Sequence, residues 1–339
     1  MKQIVVIGGG TGTFTVLTGL REYACDLSAI VSTADNGGST GVLRDELGIL
    51  PPGDIRQALV ALSDDATIMR ELLSYRFEEG GLKGHTFGNL LLGALEKLTG
   101  SFDQAVLEAG HILRVQGSVI PVTTDKVHLM AETVQGKTVK GQHDIDEHIW
   151  AERAGIQRLW LEPECEIHPL ARQAILKADL VVLAPGSLYT SLIPNLLVKG
   201  MREALATTKA PLVYVANLMT EKGQAGAFYV QDFVEALVPY LGEGEIDYVV
   251  YNTRVPSAHL LERYKKEMER MPVRLDRRRK DGLSYQLIGT PLLNTRPVTS
   301  VSKADPLQRQ RTLIRHHPAK LAEVLQAVVH FKDAKKYLS

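Results

Sequence analysis

The sequence predicts an α/β protein: a Rossmann-like, doubly wound and mostly parallel sheet with helices on both faces and a small β insertion. Three observations predict this class. A β-rich run at 3–8, a helical run at 14–23 and a β-rich run at 27–33 form one βαβ unit, which favours parallel strands. The same alternation returns after residue 179. Between the two parts, residues 118–146 alternate between apolar and polar, as in a hairpin.

The elements of the first half follow this alternation in order. The strand "QIVVIG" closes on glycine, and the helix "FTVLTGLREY" and the strand "LSAIVST" come next. The glycine- and proline-rich stretch "ADNGGSTGVLRDELGILPPGD" then predicts a long loop. Four helical runs follow it, and these are "DIRQALVALS", "ATIMRELLSYRF", "FGNLLLGALEKL" and "SFDQAVLEAGHIL".

The second half is predicted to complete the same sheet. Residues 118–162 form a β-hairpin insertion within a single domain that spans 1–339. The runs "DLVVLA", "APLVYVAN" and "IDYVVYN" are buried strands, and "SAHLLERYKKEMERM" and the stretch from Pro318 are helices. Ligands of such sheets lie at the carboxyl ends of the strands, near the point where the strand order reverses. The strand ends therefore supply the candidate site residues.

Composition argues against several classes of function. Lys plus Arg and Asp plus Glu number 39 each, so charge gives no reason to expect nucleic acid or an anionic membrane as a partner. The two cysteines lack the spacing of a zinc site or a disulfide framework. No apolar run reaches the roughly 18 residues of a membrane span, and no signal peptide is recognised, so we expect a cytoplasmic protein. The basic run "RLDRRRK" at 274–280 is interpreted as a solvated loop rather than a patch that binds phosphate or a partner.

The first strand ends in a glycine-rich turn. The turn differs from the dinucleotide fingerprint GxGxxG, because Thr13 occupies the third glycine position. It also differs from the phosphate loop of NTPases, because no GK[ST] directly follows it. Glycines let a backbone approach an anion closely, and the next helix offers free N–H groups and the positive end of its dipole. Phosphate binding is therefore favoured over a purely structural turn. The candidate residues are Gly8, Gly9, Gly10, Thr11, Gly12 and Thr13.

The second strand ends in an acidic and polar loop. Asp35 stands where a NAD enzyme has its ribose-binding acid, and it is a candidate ligand- or metal-binding residue. The residues that follow could also form a solvated Asn-Gly turn. The loop is long for such a turn and lies at a strand end, which favours the ligand-binding interpretation. Its further candidates are Asn36, Gly37, Gly38 and Ser39.

Two predicted helix starts border the same region. Asp54 is interpreted as an N-cap, with a position beside the site as the alternative. Asp35 and Asp54 are the candidate catalytic carboxylates. His85 and Asn89 are four residues apart and face the same way, which suits a capping or core role as well as ligand contact. His85 lacks a second ligand of the HxxxH kind, which argues against a metal at this position.

A second anion-ready strand end follows the strand that begins at 179. Its Pro-Gly-Ser turn leads into a predicted helix start. Together with the glycine-rich turn after the first strand, it gives the sheet two candidate phosphate-binding loops, which fit a diphosphate-containing nucleotide better than a mononucleotide. Asn195 and Asn217 lie near element ends, where they could contact a base, a sugar or nothing. The HExxH motif of zinc hydrolases is absent from the sequence. The candidates in the turn are Gly186, Ser187, Leu188, Tyr189 and Thr190.

Taken together, six stretches resemble the YvcK proteins, called gluconeogenesis factors, of the CofD-like superfamily. They span most of residues 2–225 in the family's order, which is more specific than any single glycine motif. Looser similarity continues in "SAHLLERY" and "LIRHHPAKLAEVL". The six stretches are "IVVIGGGTG", "DNGGSTGVLRDE", "PPGDIRQALVALS", "GHTFGNLLLGAL", "APGSLYTSLIPNLLV" and "ANLMTEKGQ".

The resemblance implies a Rossmann-like protein that binds UDP-sugars such as UDP-N-acetylglucosamine. It also implies a role in growth on gluconeogenic carbon sources and in cell shape, with cell-wall-synthesis proteins as candidate partners. By local context, the family's tyrosine and arginine contacts to the UDP-sugar fall on Tyr264 and Arg315. The CofD relatives are 2-phospho-L-lactate transferases that use a guanine nucleotide and Mg²⁺. The sequence leaves the assembly open, with a homodimer as one expectation.

Three hypotheses of function follow. The first is a nucleotide-sugar-binding regulator without turnover. The second is a transferase of the 2-phospho-L-lactate type, for which Mg²⁺ would bridge a diphosphate and Asp35 and Asp54 are the available carboxylates. The third is an NAD(P)-dependent oxidoreductase, which Thr13 and the polar loop after Asp35 argue against. NAD could still occupy the same groove, because it also carries a diphosphate.

Overall fold

The structure of the protein is a computed structural model, and it confirms the predicted fold class. Within the described residues, seven strands form one parallel sheet in the order β10-β9-β8-β7-β1-β2-β3. The described residues are 1–64, 68–152, 155–221, 229–242, 245–268, 270–294 and 314–330. The strands are β1 Lys2–Gly8, β2 Cys25–Val31, β3 Ser118–Pro121, β4 His128–Thr133, β5 Thr138–Lys140, β6 Ile156–Glu162, β7 Leu180–Leu183, β8 Leu212–Val215, β9 Tyr248–Asn252 and β10 Gln286–Thr290.

Helices cover both faces of this sheet, because successive strand residues point to opposite sides. In β1, Ile4 and Val6 belong to one buried cluster, and Val5 and Ile7 belong to the other. The helices are α1 Gly10–Leu20, α2 Gly38–Leu47, α3 Gly53–Leu62, α4 Ile68–Ser74, α5 Phe87–Thr99, α6 Phe102–Ile112, α7 Gln142–Glu152, α8 Pro169–Lys177, α9 Ile193–Leu196, α10 Met201–Thr207, α11 Val230–Leu241, α12 Ala258–Met268 and α13 Pro318–His330.

The predicted insertion differs from the observed one at its start. Ser118–Pro121 pairs with β2 as a parallel strand and lies at one edge of the main sheet. In the described part of the chain, a separate antiparallel sheet has the order β5-β4-β6 and begins at His128. Helix α7 connects β5 to β6 and carries Asp146 towards the main sheet.

Two elements at the carboxyl edge also differ from the sequence prediction. Helix α1 begins at Gly10, so four of the six candidate residues of the glycine-rich turn, Gly10 to Thr13, form its first turn rather than a loop. The predicted loop after β2 contains helix α2, which begins at Gly38 and ends before Gly48. Glycine and threonine are weak helix formers, and the apolar residues Val42, Leu43 and Leu47 are too few to predict a helix by pattern.

Among the residues that the structure describes, no helix combines the length and the apolar character that crossing a membrane requires.

Candidate functional site

The switch point of the sheet lies between β1 and β7. The chain runs from β1 through β2 to β3 in one direction, and from β7 through β8 and β9 to β10 in the other. The turns that follow β1 and β7 therefore begin side by side at the carboxyl edge. They are in direct contact, since a Cβ atom on Gly12 would lie 1.5 Å from the carbonyl oxygen of Pro185. The structure thus brings the two predicted anion-ready turns together.

The two turns border a groove of about 250 Å³. One wall is the start of α1 from Gly9 to Gly12, where the first amide groups of a helix have no acceptor within the helix. The side chains of Arg270 and Arg315 line the groove as well. The Nε atom of Arg270 is buried and has no hydrogen-bond partner among the described residues. Amides and guanidinium groups together favour an anionic ligand.

Asn217, which follows β8, stabilises the turn after β7 through two hydrogen bonds. Its side-chain oxygen accepts a hydrogen bond from the Gly186 N–H at 3.1 Å, and its side-chain nitrogen donates to the Gly186 carbonyl at 2.8 Å. Both groups of the Asn217 amide are therefore used to hold the turn. Asn217 lines the groove, as the sequence interpretation allowed, and the observed bonds give it a positioning role.

A chain of hydroxyl and carboxyl groups lies beneath the same turn. The Ser187 hydroxyl donates to Glu221 at 2.9 Å and lies 2.6 Å from the Thr190 hydroxyl, which in turn donates to Asp146 at 3.1 Å. Burial raises the pKa of the Glu221 carboxyl. Burial, followed by the nearby charge of Glu221, raises the pKa of Asp146 to about 7. Arg270 opposes both increases, so its charge is shared between these carboxyl groups.

Asp35 and Asp54 form a second acidic pair at the other side of the glycine turn. A Cβ atom on Gly9 would lie 2.2 Å from a carboxylate oxygen of Asp54, so the absence of a side chain there lets Asp54 reach the start of α1. Burial, followed by the charge of Asp35, raises the pKa of Asp54 to about 7, and a hydrogen bond from the Gly10 amide opposes this increase. Burial also raises the pKa of Asp35, whose carboxylate accepts the Gly37 N–H at 2.8 Å.

The predicted capping role of Asp54 is wrong. The N-cap of α3 is Pro52, the helix begins at Gly53, and Asp54 lies in the first turn. Its carboxyl group faces the Gly9–Gly10 segment rather than the end of its own helix. The alternative interpretation, a position beside the site, agrees with this placement.

Ser39 connects the loop after β2 to the start of α5. Its hydroxyl lies 3.0 Å from Nδ1 of His85 and accepts a hydrogen bond from the Asn89 side chain at 3.3 Å. The other side of the Asn89 amide accepts from Nε of the buried Arg56 at 3.0 Å. Thr86, and not His85 or Asn89, is the N-cap of α5. The Ser39 hydroxyl therefore links the side chains of His85 and Asn89 by hydrogen bonds.

Several other predicted residues lie outside the groove lining. The Thr13 hydroxyl is buried and donates to the Gly9 carbonyl at 3.2 Å, beneath the turn. Asn195 is fully buried and donates to the Ser191 carbonyl at 2.8 Å. The Asn36 side chain accepts the N–H of His143 at 3.0 Å and so contacts the insertion. The remaining members of this set are Gly8 beneath the turn, the core residues Leu188, Tyr189 and Thr190, and Gly37 and Gly38 at the start of α2.

Tyr264 supports one wall of the groove from behind. Its side chain is 1% exposed, and its hydroxyl accepts the backbone N–H of Ile314 at 2.9 Å. Ile314, Arg315 and His316 line the groove directly. Tyr264, which the resemblance assigned to contact with the UDP-sugar, therefore positions the segment that carries Arg315, the other assigned residue.

Replacing Tyr264 with phenylalanine tests this positioning role. Because the change leaves the buried Ile314 N–H without its acceptor, we expect Tyr264→Phe to lower the free energy of unfolding by about 1–2 kcal/mol in denaturant titrations. Tyr23→Phe, at a partly exposed tyrosine, is the matched control and should leave the unfolding free energy unchanged. Unchanged stability with a large loss of ligand affinity in Tyr264→Phe would instead favour direct contact with a ligand.

Four ionisable residues were missed by the sequence interpretation, of which Glu221, Arg270 and His316 line the groove and Asp146 bonds to Thr190 beside it. Asp146 comes from the insertion, Glu221 follows β8, and Arg270 and His316 come from the C-terminal third. Burial lowers the pKa of His316 to about 4, so its ring is neutral at physiological pH. Asp146 and Arg270 lie outside the stretches that carry the family resemblance, and Glu221 and His316 lie inside two of them without a recognisable role of their own.

A divalent cation fits the acidic pair. Among the described residues, no group of three or more His, Cys, Asp or Glu side chains is arranged to hold a metal ion. Mg²⁺, however, is commonly held by one or two carboxylates and by oxygen atoms of a bound phosphate. Asp35 and Asp54 could supply those carboxylates, and the charge repulsion between them would fall when a cation binds.

The fold and the groove define a class of protein, a Rossmann-like α/β protein with helix-start amides gathered at its switch point. Residues 4–293 match the family model described as 2-phospho-L-lactate transferase CofD. The chain belongs to the CofD family and, by its relatives, to the branch called gluconeogenesis factors.

The relatives cover most of the chain. A putative gluconeogenesis factor of Thermotoga maritima is 39% identical over 328 residues, which are 96% of this chain and 99% of the relative. The gluconeogenesis factor of Bacillus subtilis is 42% identical over 277 residues, 81% of this chain and 86% of the relative. A putative gluconeogenesis factor of Clostridium acetobutylicum is 42% identical over 288 residues, and there the chain spans only 63% of the relative's length.

A solved structure shows the same fold. It is the crystal structure of a member of the UPF0052 family from Bacillus halodurans, which is 35% identical to this chain. The TM-score is 0.87, and the match covers 96% of this chain and 98% of the other.

Proposed function

We propose that this protein binds a nucleotide diphosphate sugar of the UDP-N-acetylglucosamine type in the groove and acts as a regulator rather than through turnover. The observation that carries the proposal is the contact of Gly12 with Pro185, which sets the two helix-start turns side by side at the switch point. A diphosphate placed there would accept hydrogen bonds from the α1 amides, and Arg270 and Arg315 would balance its charge.

The cellular role that we propose rests on the relatives. Several of them are named gluconeogenesis factors, and the proposed role is support of growth and cell shape under gluconeogenic conditions. We place this activity in the cytoplasm, with cell-wall-synthesis proteins as candidate partners.

A second candidate function is transfer of a 2-phospho-L-lactate group from a nucleotide. It is favoured by the description of the family model and by the position of Asp35 and Asp54 beside the glycine turn. In this function the two carboxyl groups would hold Mg²⁺ against the diphosphate, and the cation would neutralise the leaving group. NAD remains a candidate occupant of the groove, without hydride transfer.

Calorimetric titration distinguishes these candidates. We expect UDP-N-acetylglucosamine to bind saturably, more tightly than GDP or NAD, and more tightly with Mg²⁺ than with EDTA. Arg270→Gln should weaken its binding by about 10–100-fold, because a charged hydrogen-bond donor to phosphate is lost. Arg172→Gln, at an exposed arginine of α8, is the matched control. Absence of binding at millimolar UDP-N-acetylglucosamine would contradict the proposal, and tighter Mg²⁺-dependent binding of GDP would favour the transferase.

A further inference from the structure

A second cavity lies beside the groove at the same edge of the sheet. It has a volume of about 450 Å³, within the range of small-molecule sites. The end of β9 and the segment after it, 251–256, form one side, and residues 272–275, 277 and 280 form the other. Leu218 lines both this cavity and the groove, so the two share a wall.

The lining of this cavity is strongly basic. Arg254, Arg274, Arg277 and Lys280 contribute to it, and no acidic residue of the described part of the chain lines it. The whole chain carries equal numbers of acidic and basic residues, so the excess of positively charged side chains is a local property of this cavity. Within the described ranges, none of the four side chains has an ion pair or a side-chain hydrogen bond. They come from the basic run that the sequence analysis interpreted as a solvated loop, and from the end of β9.

The basic run is held in place by contacts that do not use the four cavity cations. Arg279, a member of the run that does not line the cavity, forms ion pairs with Asp232 and Glu235 of α11. The buried Gln231 donates to the Asp276 carbonyl at 2.8 Å and accepts the Asp276 N–H at 3.1 Å. The segment is therefore fixed on α11 before any ligand arrives, which lowers the cost of ordering it on binding.

The remaining lining suits a small organic anion. The Tyr251 side chain lies against Gly289 of the adjacent strand β10, and Arg277 is close enough to affect the hydroxyl of Tyr251 electrostatically. A guanidinium group pairs with phosphate through two parallel hydrogen bonds, and three arginines line this cavity. A concave site of this volume is large enough for a metabolite-sized ligand.

We propose that this cavity is a second binding site, separate from the groove, for a small phosphate ester or diphosphate that carries at least two negative charges. Leu218 would lie between a ligand bound there and the groove. Such a ligand could therefore change the affinity of the groove for its own ligand. This site goes beyond the proposed function, because the cavity's cations are not among the groove's lining residues.

Titration with inorganic pyrophosphate tests the site. The full chain is titrated calorimetrically in EDTA, because Mg²⁺ would bind the probe. We expect saturable binding, and Arg254→Gln combined with Arg277→Gln should weaken it by about tenfold or more, since two charged donors are lost. Arg278→Gln is the matched control, because Arg278 belongs to the same basic run but does not line the cavity. The control should bind within about twofold of the unaltered protein, as surface substitutions usually do.

Three results would overturn the proposal. The first is unchanged pyrophosphate binding in the double variant, and the second is an equal loss in Arg278→Gln. The third is a loss in Arg270→Gln alone, which would place pyrophosphate in the groove. The double variant should keep its affinity for UDP-N-acetylglucosamine within about twofold. The two proposals can therefore fail independently.

Discussion

Gly12→Ala is expected to lower the free energy of unfolding by about 3 kcal/mol, the upper end of the usual cost of overpacking a buried site. The added Cβ would lie 1.5 Å from the Pro185 carbonyl oxygen, and the neighbouring carbonyl carbon would be 2.6 Å away. Both are backbone atoms, so no side chain can rotate to relieve the contact. The turns after β1 and β7 must separate, and a diphosphate bound between them would lose part of its donors. We expect UDP-N-acetylglucosamine binding to weaken by about tenfold or more.

The matched control is Gly81→Ala, at an exposed glycine where a Cβ would meet no atom within 4 Å. Denaturant titration and calorimetry of both variants separate the two effects. If Gly12→Ala lost stability but kept full affinity, the ligand would not lie between the turns. If it kept both, the close contact of the turns would itself be in doubt.

The sequence predicted the parts of this site that depend on local pattern. The strand-glycine-helix order around Gly9 and the strand-turn-helix order around Gly186 are local, and a doubly wound sheet brings such strand ends together. For the same reason five of the seven strands could be predicted from alternating strands and helices, whereas β3 was assigned to the insertion and β10 was not predicted. The start of α1 at Gly10 was missed because glycine is a poor helix former, although the first turn needs no side-chain pattern.

The parts that were missed depend on distant contacts. Asp146 reaches Thr190 from the insertion, and His316 reaches the groove through a bridge with Leu293 near the other end of the sheet. No residue next to Asp146 in sequence marks it, and His316, although it follows the candidate Arg315, has no pattern of its own. The role of Tyr264 was also unpredictable, because its buried hydroxyl bonds to the backbone of a residue fifty positions away. A basic run such as 274–280 has the same composition whether it is solvated or lines a cavity.

The carboxyl groups around the groove share one electrostatic property. Burial raises the pKa of Asp35, Asp54, Asp146 and Glu221 alike. Each is therefore harder to ionise in the native protein than in the unfolded chain. A ligand-free protein at neutral pH thus carries a stability cost at this edge, and a bound cation would reduce that cost because opposite charge favours the ionised form.

Asp54→Asn tests this stability cost directly. We expect the substitution to stabilise the protein, whereas the same substitution at a salt-bridged aspartate destabilises a protein. Asp54 titrates with a pKa of about 7 in the native protein against an ordinary value of 3.8. Between these two values the unfolded chain has released the proton and the native protein has kept it, so stability falls as pH rises. One such group lowers the free energy of unfolding by roughly 1 kcal/mol per pH unit across this window, and the loss is complete above about pH 7.

An asparagine side chain cannot ionise, so the variant should lose this part of the pH dependence. We expect Asp54→Asn to raise the free energy of unfolding of the metal-free, ligand-free protein by about 3 kcal/mol at pH 8 and to change it little at pH 4. The amide oxygen can still accept the Gly10 N–H. In the presence of Mg²⁺, the same variant should lose most of the increase in UDP-N-acetylglucosamine affinity that the cation provides, because one of two candidate ligands is neutral.

Asp281→Asn, at an exposed aspartate, is the control of equal size and charge change. Urea titrations of the native chain and both variants at several pH values between 4 and 8 give the comparison. Parallel pH profiles for the native chain and Asp54→Asn would show that Asp54 ionises normally and that the burial argument is wrong. A more stable variant that retains the full Mg²⁺ effect would place the cation elsewhere. Greater stability together with a lost Mg²⁺ effect would mean that Asp54 is kept at this edge for binding and at the expense of folding.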